Sequence, residues 1–353
     1  MSSDIEVVSN STSQQSYTTS AITFPTLLEP RSPPTNDEAK ARIQELYDSG
    51  VPFFTKDAIR EIWEQMQRQL GQGDKVVVKD VTGAKLGCEV KLGKTDHELA
   101  LSYRCASQLK REIDYDWDEQ VLDSVYAPIL VSHHLCELDS TSETKEIIPN
   151  TPIGEKGAVA LDFQEKRKKW EESSTCKKFF ETLASSAGSH EIKKIIGFAC
   201  GSLSLPNNSH SATEHALLVS VRDWLKSRDG DKEAACYVQD PMNTSVDREV
   251  LAEVGFEVID DPRGWLEVDE KSFVISIAPN VPVKEIIADI ARPAVVIWFR
   301  VKAESNDEGG DTDPDSSRVR AMMEEYELFE LEPYDDLAEN VVVYIRKSGS
   351  ATK

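Results

Sequence analysis

The chain has 353 residues, 39% of them apolar and 29% charged, with a formal net charge of −23. This size and apolar content fit a globular protein with one large core or two domains, and no apolar run approaches the length of a bilayer span. The negative charge argues against a general nucleic-acid binder, DNA included, because phosphate contacts need cations.

Residues 1–35 are rich in Ser, Thr, Gln and Pro, and have neither a basic leading segment nor an apolar one. They predict a disordered tail rather than a signal peptide. Thr35 and Glu38 have capping-box spacing and open a helix that ends near Gly50. A second helix starts at Thr55 and carries Ile59, Ile62, Trp63, Met66 and Leu70 on one stripe before Gly71 stops it. Three β-branched or alternating runs, 75–81, 85–92 and 98–104, predict a small antiparallel meander. Residues 110–157 give no clear pattern; His133, His134 and Cys136 lie close together there, but no second ligand pair follows, so no metal site is expected. The six cysteines (Cys88, Cys105, Cys136, Cys176, Cys200, Cys236) are scattered, which predicts reduced, buried thiols and a cytoplasmic protein.

From Asp162 onward strands and helices alternate. A helix through Trp170, Phe179 and Phe180 precedes a strand at 194–199, and a helix through Leu217, Leu218, Val221, Trp224 and Leu225 follows. Strands at 235–238, 256–259, 272–278 and 294–301 are interleaved with helices at 245–254 and 283–290. The pattern predicts an α/β fold: a Rossmann-like, mostly parallel sheet with helices on both faces, plus a small N-terminal helical and antiparallel β region. The expected organisation is a tail at 1–35, an N-terminal region at 36–157, the Rossmann-like core at 158–302, a flexible acidic insertion at 303–316, and a C-terminal helix and strands at 317–353.

Ligands of an open parallel sheet bind beyond the carboxyl ends of its strands. Three segments meet there. Gly201 permits a tight turn after the first strand, and Ser202 is either a nucleophile or a serine that satisfies loop backbone groups. Asp240, exposed by Pro241, either holds a substrate amine or caps a turn. Asn280 either binds a polar ligand or shapes its loop. The spacing lacks the glycine pattern of dinucleotide sites, so no nucleotide cofactor is expected.

Two charged segments complete the inventory. Lys166, Arg167, Lys168 and Lys169, followed by Lys177 and Lys178, form the one dense basic stretch, which is either an RNA contact or a solvated helix face balanced by Glu165, Glu171 and Glu172. Asp335, Asp336 and Glu339 crowd between two apolar, strand-like runs. If they form a helical turn, Glu339 shares a face with both aspartates, and such crowding invites a guanidinium, an ammonium or a divalent metal. A solvated acidic turn is the alternative.

The run from Ile195 through Gly201-Ser202, Glu214-His215, Asp240-Pro241, Leu251, Gly255-Phe256 and Ala278-Pro279-Asn280 resembles the SRR-like domain, over roughly 160–302. With the C-terminal D-D-x-x-E of Asp335, Asp336 and Glu339, the chain looks like the fungal arginine-containing cyclodipeptide synthases. That resemblance implies an aminoacyltransferase without a cofactor or metal, which joins arginine from arginyl-tRNA to a second amino acid from its aminoacyl-tRNA, giving a cyclic dipeptide (diketopiperazine) for secondary metabolism. It further implies that Asp335, Asp336 and Glu339 are catalytic, with Ser202 as a carrier of a transient aminoacyl group by analogy with the bacterial enzymes. Gly201, Asp240 and Asn280 would line the substrate site, and Lys166 to Lys169 would contact tRNA. The main alternative is a non-catalytic SRR-like regulatory protein. A metal-dependent prenyl-diphosphate enzyme and a nucleotide-dependent oxidoreductase fit the repeated strands and the glycine spacing less well.

Overall fold

The computed structural model describes residues 25–29, 31–91, 97–114, 123–138, 145–147, 152–230, 233–303 and 311–348. Its N-terminal part contains β1 (Thr26–Leu27), α1 (Asn36–Asp48), α2 (Lys56–Met66), β2 (Lys75–Lys79), β3 (Lys85–Glu89), β4 (His97–Tyr103), α3 (Ala106–Glu112), β5 (Ile129–Leu138) and β6 (Lys145–Ile147). The capping box of Thr35 and Glu38 forms as predicted, and the Thr55 hydroxyl caps α2.

Two expectations for this part are corrected. The predicted meander is split, because β3 pairs with both β1 and β2, whereas β4 pairs with β5 over its whole length. The predicted tail is shorter than 35 residues: Thr26 pairs with Gly87, and Arg31 binds Asp80 at 2.9 Å. Residues 1–24 of that tail, and Trp117, lie outside the described residues. His133 Nε2 accepts the Lys91 N–H at 3.0 Å.

The second part runs α4 (Lys156–Glu172), α5 (Ser174–Ser186), β7 (Lys194–Phe198), α6 (Ser209–Asp229), β8 (Ala235–Gln239), α7 (Ser245–Glu253), β9 (Glu257–Val258), α8 (Arg263–Glu267), β10 (Ser272–Ile275), α9 (Val283–Ile290), β11 (Val295–Phe299), α10 (Ser317–Met323), β12 (Tyr326–Glu330) and β13 (Val341–Arg346). The helix expected through Trp170 and Phe179 is two helices, because Ser173 leaves helical geometry and caps α5 through its hydroxyl. One seven-stranded sheet has the order β12-β13-β11-β10-β7-β8-β9. β11, β10, β7, β8 and β9 are parallel neighbours, and β13 is antiparallel to both β11 and β12. This is the predicted Rossmann-like α/β architecture.

Side chains alternate across the strands, so each strand feeds two cores. Ile196, Phe198, Val274, Val296 and Trp298 pack with the N-terminal part, α8, α9 and α10. Ile195, Phe273, Ile275, Val295 and Ile297 pack with α4 to α7. Gly197 lets α6 lie directly on β7, since a Cβ there would meet Cys200 Sγ and Leu218 Cδ1 at 2.8 Å each. Only the first part of the predicted flexible insertion, 304–310, lies outside the described residues. Its second part is tied down: Lys284 donates from Nζ to Asp315 at 2.5 Å and from its backbone N–H to Asp313 at 2.8 Å, and the Thr312 hydroxyl donates to Pro279 O at 2.8 Å.

Candidate functional site at the carboxyl edge of the sheet

The chain leaves β7 for β8 on one side and later enters β10 on the other, so the strand order reverses between β7 and β10. The loops after these two strands flank the crevice where such sheets bind ligands. Both carry an alanine in the left-handed region, Ala199 at φ 54° and Ala278 at φ 52°. A side chain in that region costs roughly 1–2 kcal/mol, and strain of this kind gathers at functional sites.

Gly201 follows at φ 71° and donates its N–H to Asp240 Oδ2 at 2.7 Å, while Asp240 Oδ1 accepts the Met242 N–H at 2.8 Å. Asp240 thus fastens the β7 and β8 loops together while remaining partly open to solvent. Burial raises its pKa above the usual aspartate value, against the pull of those two N–H groups. Asn280 is exposed on the β10–α9 loop.

Ser202 has a different environment from the one a nucleophile needs. It is 4% exposed, and its hydroxyl donates to Asp247 Oδ2 at 2.6 Å. Asp247 is fully buried in the first turn of α7 and also accepts the N–H groups of Leu203 at 2.8 Å, Ser204 at 2.9 Å and Thr244 at 2.7 Å. The arrangement gives Ser202 the loop-fastening task, with Asp247 as the hub.

The acidic motif reaches the same edge by a different route. Because β13 runs against β11, with Val341 opposite Phe299, the segment 331–340 sits beside the ends of the parallel strands, and Arg300 N donates to Asn340 O at 2.8 Å. The motif is not a helical turn. Asp335 and Asp336 form the corner of a β-turn closed by Leu337 N and Tyr334 O at 2.9 Å, and buried Leu337 pins the segment to the core. Asp335 and Glu339 are exposed and make no ion pair among the described residues. Asp336 is half-buried, pairs with Lys169 Nζ at 3.3 Å, and offers its backbone O to His210 Nδ1 at 3.1 Å. His210 stands in the first turn of α6, directly after the Gly201–Ser202 loop, so the acidic turn and that loop are neighbours.

The basic stretch is largely paired. Lys166 binds Asp162 at 2.8 Å and Asn208 Oδ1 at 2.5 Å, Arg167 binds Glu171 at 2.7 Å and Asp223 at 2.9 Å, and Lys168 is 3.9 Å from Glu172. Lys178 pairs with Glu332, whereas Lys177 is exposed. Lys168, Lys169, Lys177 and Lys178 are the exposed cations of the run.

Two groups absent from the sequence-derived sites are prominent here. Glu214 is 6% exposed and hydrogen-bonds the Cys200 thiol; burial, with Asp240 nearby, pushes its pKa well above the usual glutamate range. Its Oε2 has no partner. His215 is 1% exposed, uses Nδ1 on Ser211 O at 2.7 Å, and leaves Nε2 unpartnered. The available signal was a Glu-His pair inside an otherwise apolar and small-residue helix.

Residues 167–339 carry an SRR1 domain. The SRR1 match begins inside α4 and ends on Glu339, so it extends past the expected boundary at 302 and takes in the acidic motif. No curated protein sequence matches the chain significantly. Among solved structures the chain is similar to a Sulfolobus solfataricus protein assigned to the type 11 methyltransferases, at 13% identity, over 48% of this chain and 92% of that one, with a TM-score of 0.23. A likeness that slight bears on no functional argument. Among the described residues no cluster of three or more His, Cys, Asp or Glu is disposed to hold a metal, and no helix is long and apolar enough to cross a membrane.

Proposed function

We propose that this SRR1-domain protein is a cytoplasmic arginine-containing cyclodipeptide synthase, which condenses arginine from arginyl-tRNA with a second amino acid from its own aminoacyl-tRNA into a diketopiperazine. The observation that supports this reading most is the position of Asp335 and Glu339, exposed and without ion pairs, on the sheet edge that also carries the Gly201 loop. Carboxylates there are free to take a guanidinium or ammonium group.

An aminoacyl ester is already activated, so the protein has to align an amine with an ester carbonyl and move protons. In the first condensation a new N–C bond forms, the ester C–O bond breaks, and the terminal tRNA hydroxyl leaves with a proton. A second attack, by the remaining amine on the remaining ester, closes the ring and releases the other tRNA. In this reading one or two of Asp335, Asp336 and Glu339 grip the arginyl cation, and another accepts the proton of the attacking amine. Lys168 and Lys169 are exposed and free to meet a tRNA phosphate with their outer faces. Mass spectrometry of purified protein incubated with arginyl-tRNA and mixed aminoacyl-tRNAs tests the reading through the mass of an arginine-containing cyclic dipeptide.

A non-catalytic binding or regulatory role is the alternative. It draws on one observation: the acidic motif lies within the SRR1 match rather than appended to it, and so does not by itself mark a catalytic branch.

A further inference from the structure

A buried carboxyl oxygen without a partner forfeits roughly 1–3 kcal/mol, so each one in a folded protein calls for an explanation. Glu214 Oε2 is such an atom, and its carboxyl stands against Cys200, next to the residue whose N–H joins the β7 loop to Asp240. Glu214 hydrogen-bonds the Cys200 thiol, and Asp240, near enough to act on Glu214 through its charge, is partly open to solvent. On the adjoining β8–α7 loop, Asn243 likewise has both side-chain amide atoms buried and unpartnered, although its backbone N–H holds Asp240 O at 3.1 Å. Among the described residues, no Lys or Arg pairs with Glu214 or Asp240.

We infer that Glu214 and Asp240 form a receptor for a cationic head group, an ammonium or guanidinium, that enters the crevice between the β7 and β10 ends. Asp240 meets the cation at the rim, Glu214 takes it below, and the Asn243 amide supplies a further hydrogen bond. A cation there gives the unpartnered Glu214 oxygen an opposite charge to meet. The choice of an arginyl or other aminoacyl group as the natural ligand rests on the reading proposed above; the receptor itself does not. The acidic turn at 335–339 then serves a second cation or the proton transfer, which gives two amino acids separate carboxylates.

The probe is L-arginine methyl ester, titrated calorimetrically into the full chain near pH 7. The expected result is saturable binding, weakened by about tenfold or more in Glu214→Gln. Circular dichroism verifies folding, and should Glu214→Gln not fold, Asp240→Asn carries the same test at the rim. Absence of binding to the wild-type chain, or equal binding by the folded variant, overturns the receptor. Cyclic dipeptide formation that persists in Glu214→Gln, with the ester bound equally by variant and wild type, overturns the receptor and leaves the synthase standing. Glu214-dependent binding in a protein inert toward aminoacyl-tRNA overturns the synthase and leaves the receptor standing.

Discussion

Lys169 and Asp336, 167 positions apart in the chain, meet at 3.3 Å and join the basic helix to the acidic turn. Two segments that look like separate sites in the sequence are therefore one surface. Tyr334 consolidates the junction, lying edge-on to Trp170 with 5.3 Å between ring centroids and below Lys169 at 5.9 Å. Asp336 raises the pKa of Lys169, so the lysine stays charged throughout the physiological range.

Because Lys169 is exposed, Lys169→Ala leaves the unfolding free energy nearly unchanged. Its effect falls on the site instead: Asp336 is freed, and the turn becomes more negative. If tRNA contacts this surface, Lys168→Glu with Lys169→Glu weakens tRNA binding and flattens its salt dependence. Filter binding across a salt series checks this, and an unchanged slope removes the contact.

Ser202 and Asp247 give a prediction that separates structure from chemistry. Asp247→Ala strands several buried donors and destabilises the protein by about 3 kcal/mol or more, read by urea denaturation. Ser202→Ala removes one hydrogen bond, costs about 1–2 kcal/mol, and leaves product formation in the folded protein. A stable, inactive Ser202→Ala variant restores the aminoacyl-carrier role for this residue.

Three buried acids contribute to the pH dependence of stability. Burial raises Asp261 from 3.8 to about 7, Glu285 from 4.5 to about 7, and Asp313 from 3.8 to about 7. The folded state therefore holds protons that the unfolded chain has lost, and stability contributed by these groups is present below pH 4 and falls as pH rises toward about 7. Above that range their contribution is flat. Asp261 accepts from Tyr103 Oη at 2.7 Å, Gln239 Nε2 at 2.9 Å and Trp265 Nε1 at 3.2 Å, joining the N-terminal β4 to the sheet edge. Asp261→Asn removes its share of the decline, as denaturation midpoints measured from pH 4 to 8 will show; an identical slope refutes the assignment.

The alternation of strands and helices from β7 to β11 was legible because buried parallel strands read as short β-branched runs between helices whose ends carry glycine or caps. The pairing of β4 was not, since its partner lies across residues 110–128, and local alternation says nothing about which strand is the neighbour. The break between α4 and α5 was hidden because Trp170 and Phe179 share one core, and the serine that interrupts them looks like any surface residue. At the site, glycine and proline betrayed the Gly201 and Asp240 loops. Asp247 went unnoticed although Thr244 stands three residues before it at capping spacing, because burial of a capping acid depends on the loop brought to it in three dimensions.

The most direct measurement compares wild type with Glu339→Gln, at equal amounts of folded protein, for the arginine-containing cyclic dipeptide formed from arginyl-tRNA and mixed aminoacyl-tRNAs. The account predicts product from the wild type and its loss, by about a hundredfold or more, in a variant whose melting curve is unchanged. Wild-type turnover by Glu339→Gln, or no cyclic dipeptide from the wild-type chain, contradicts it.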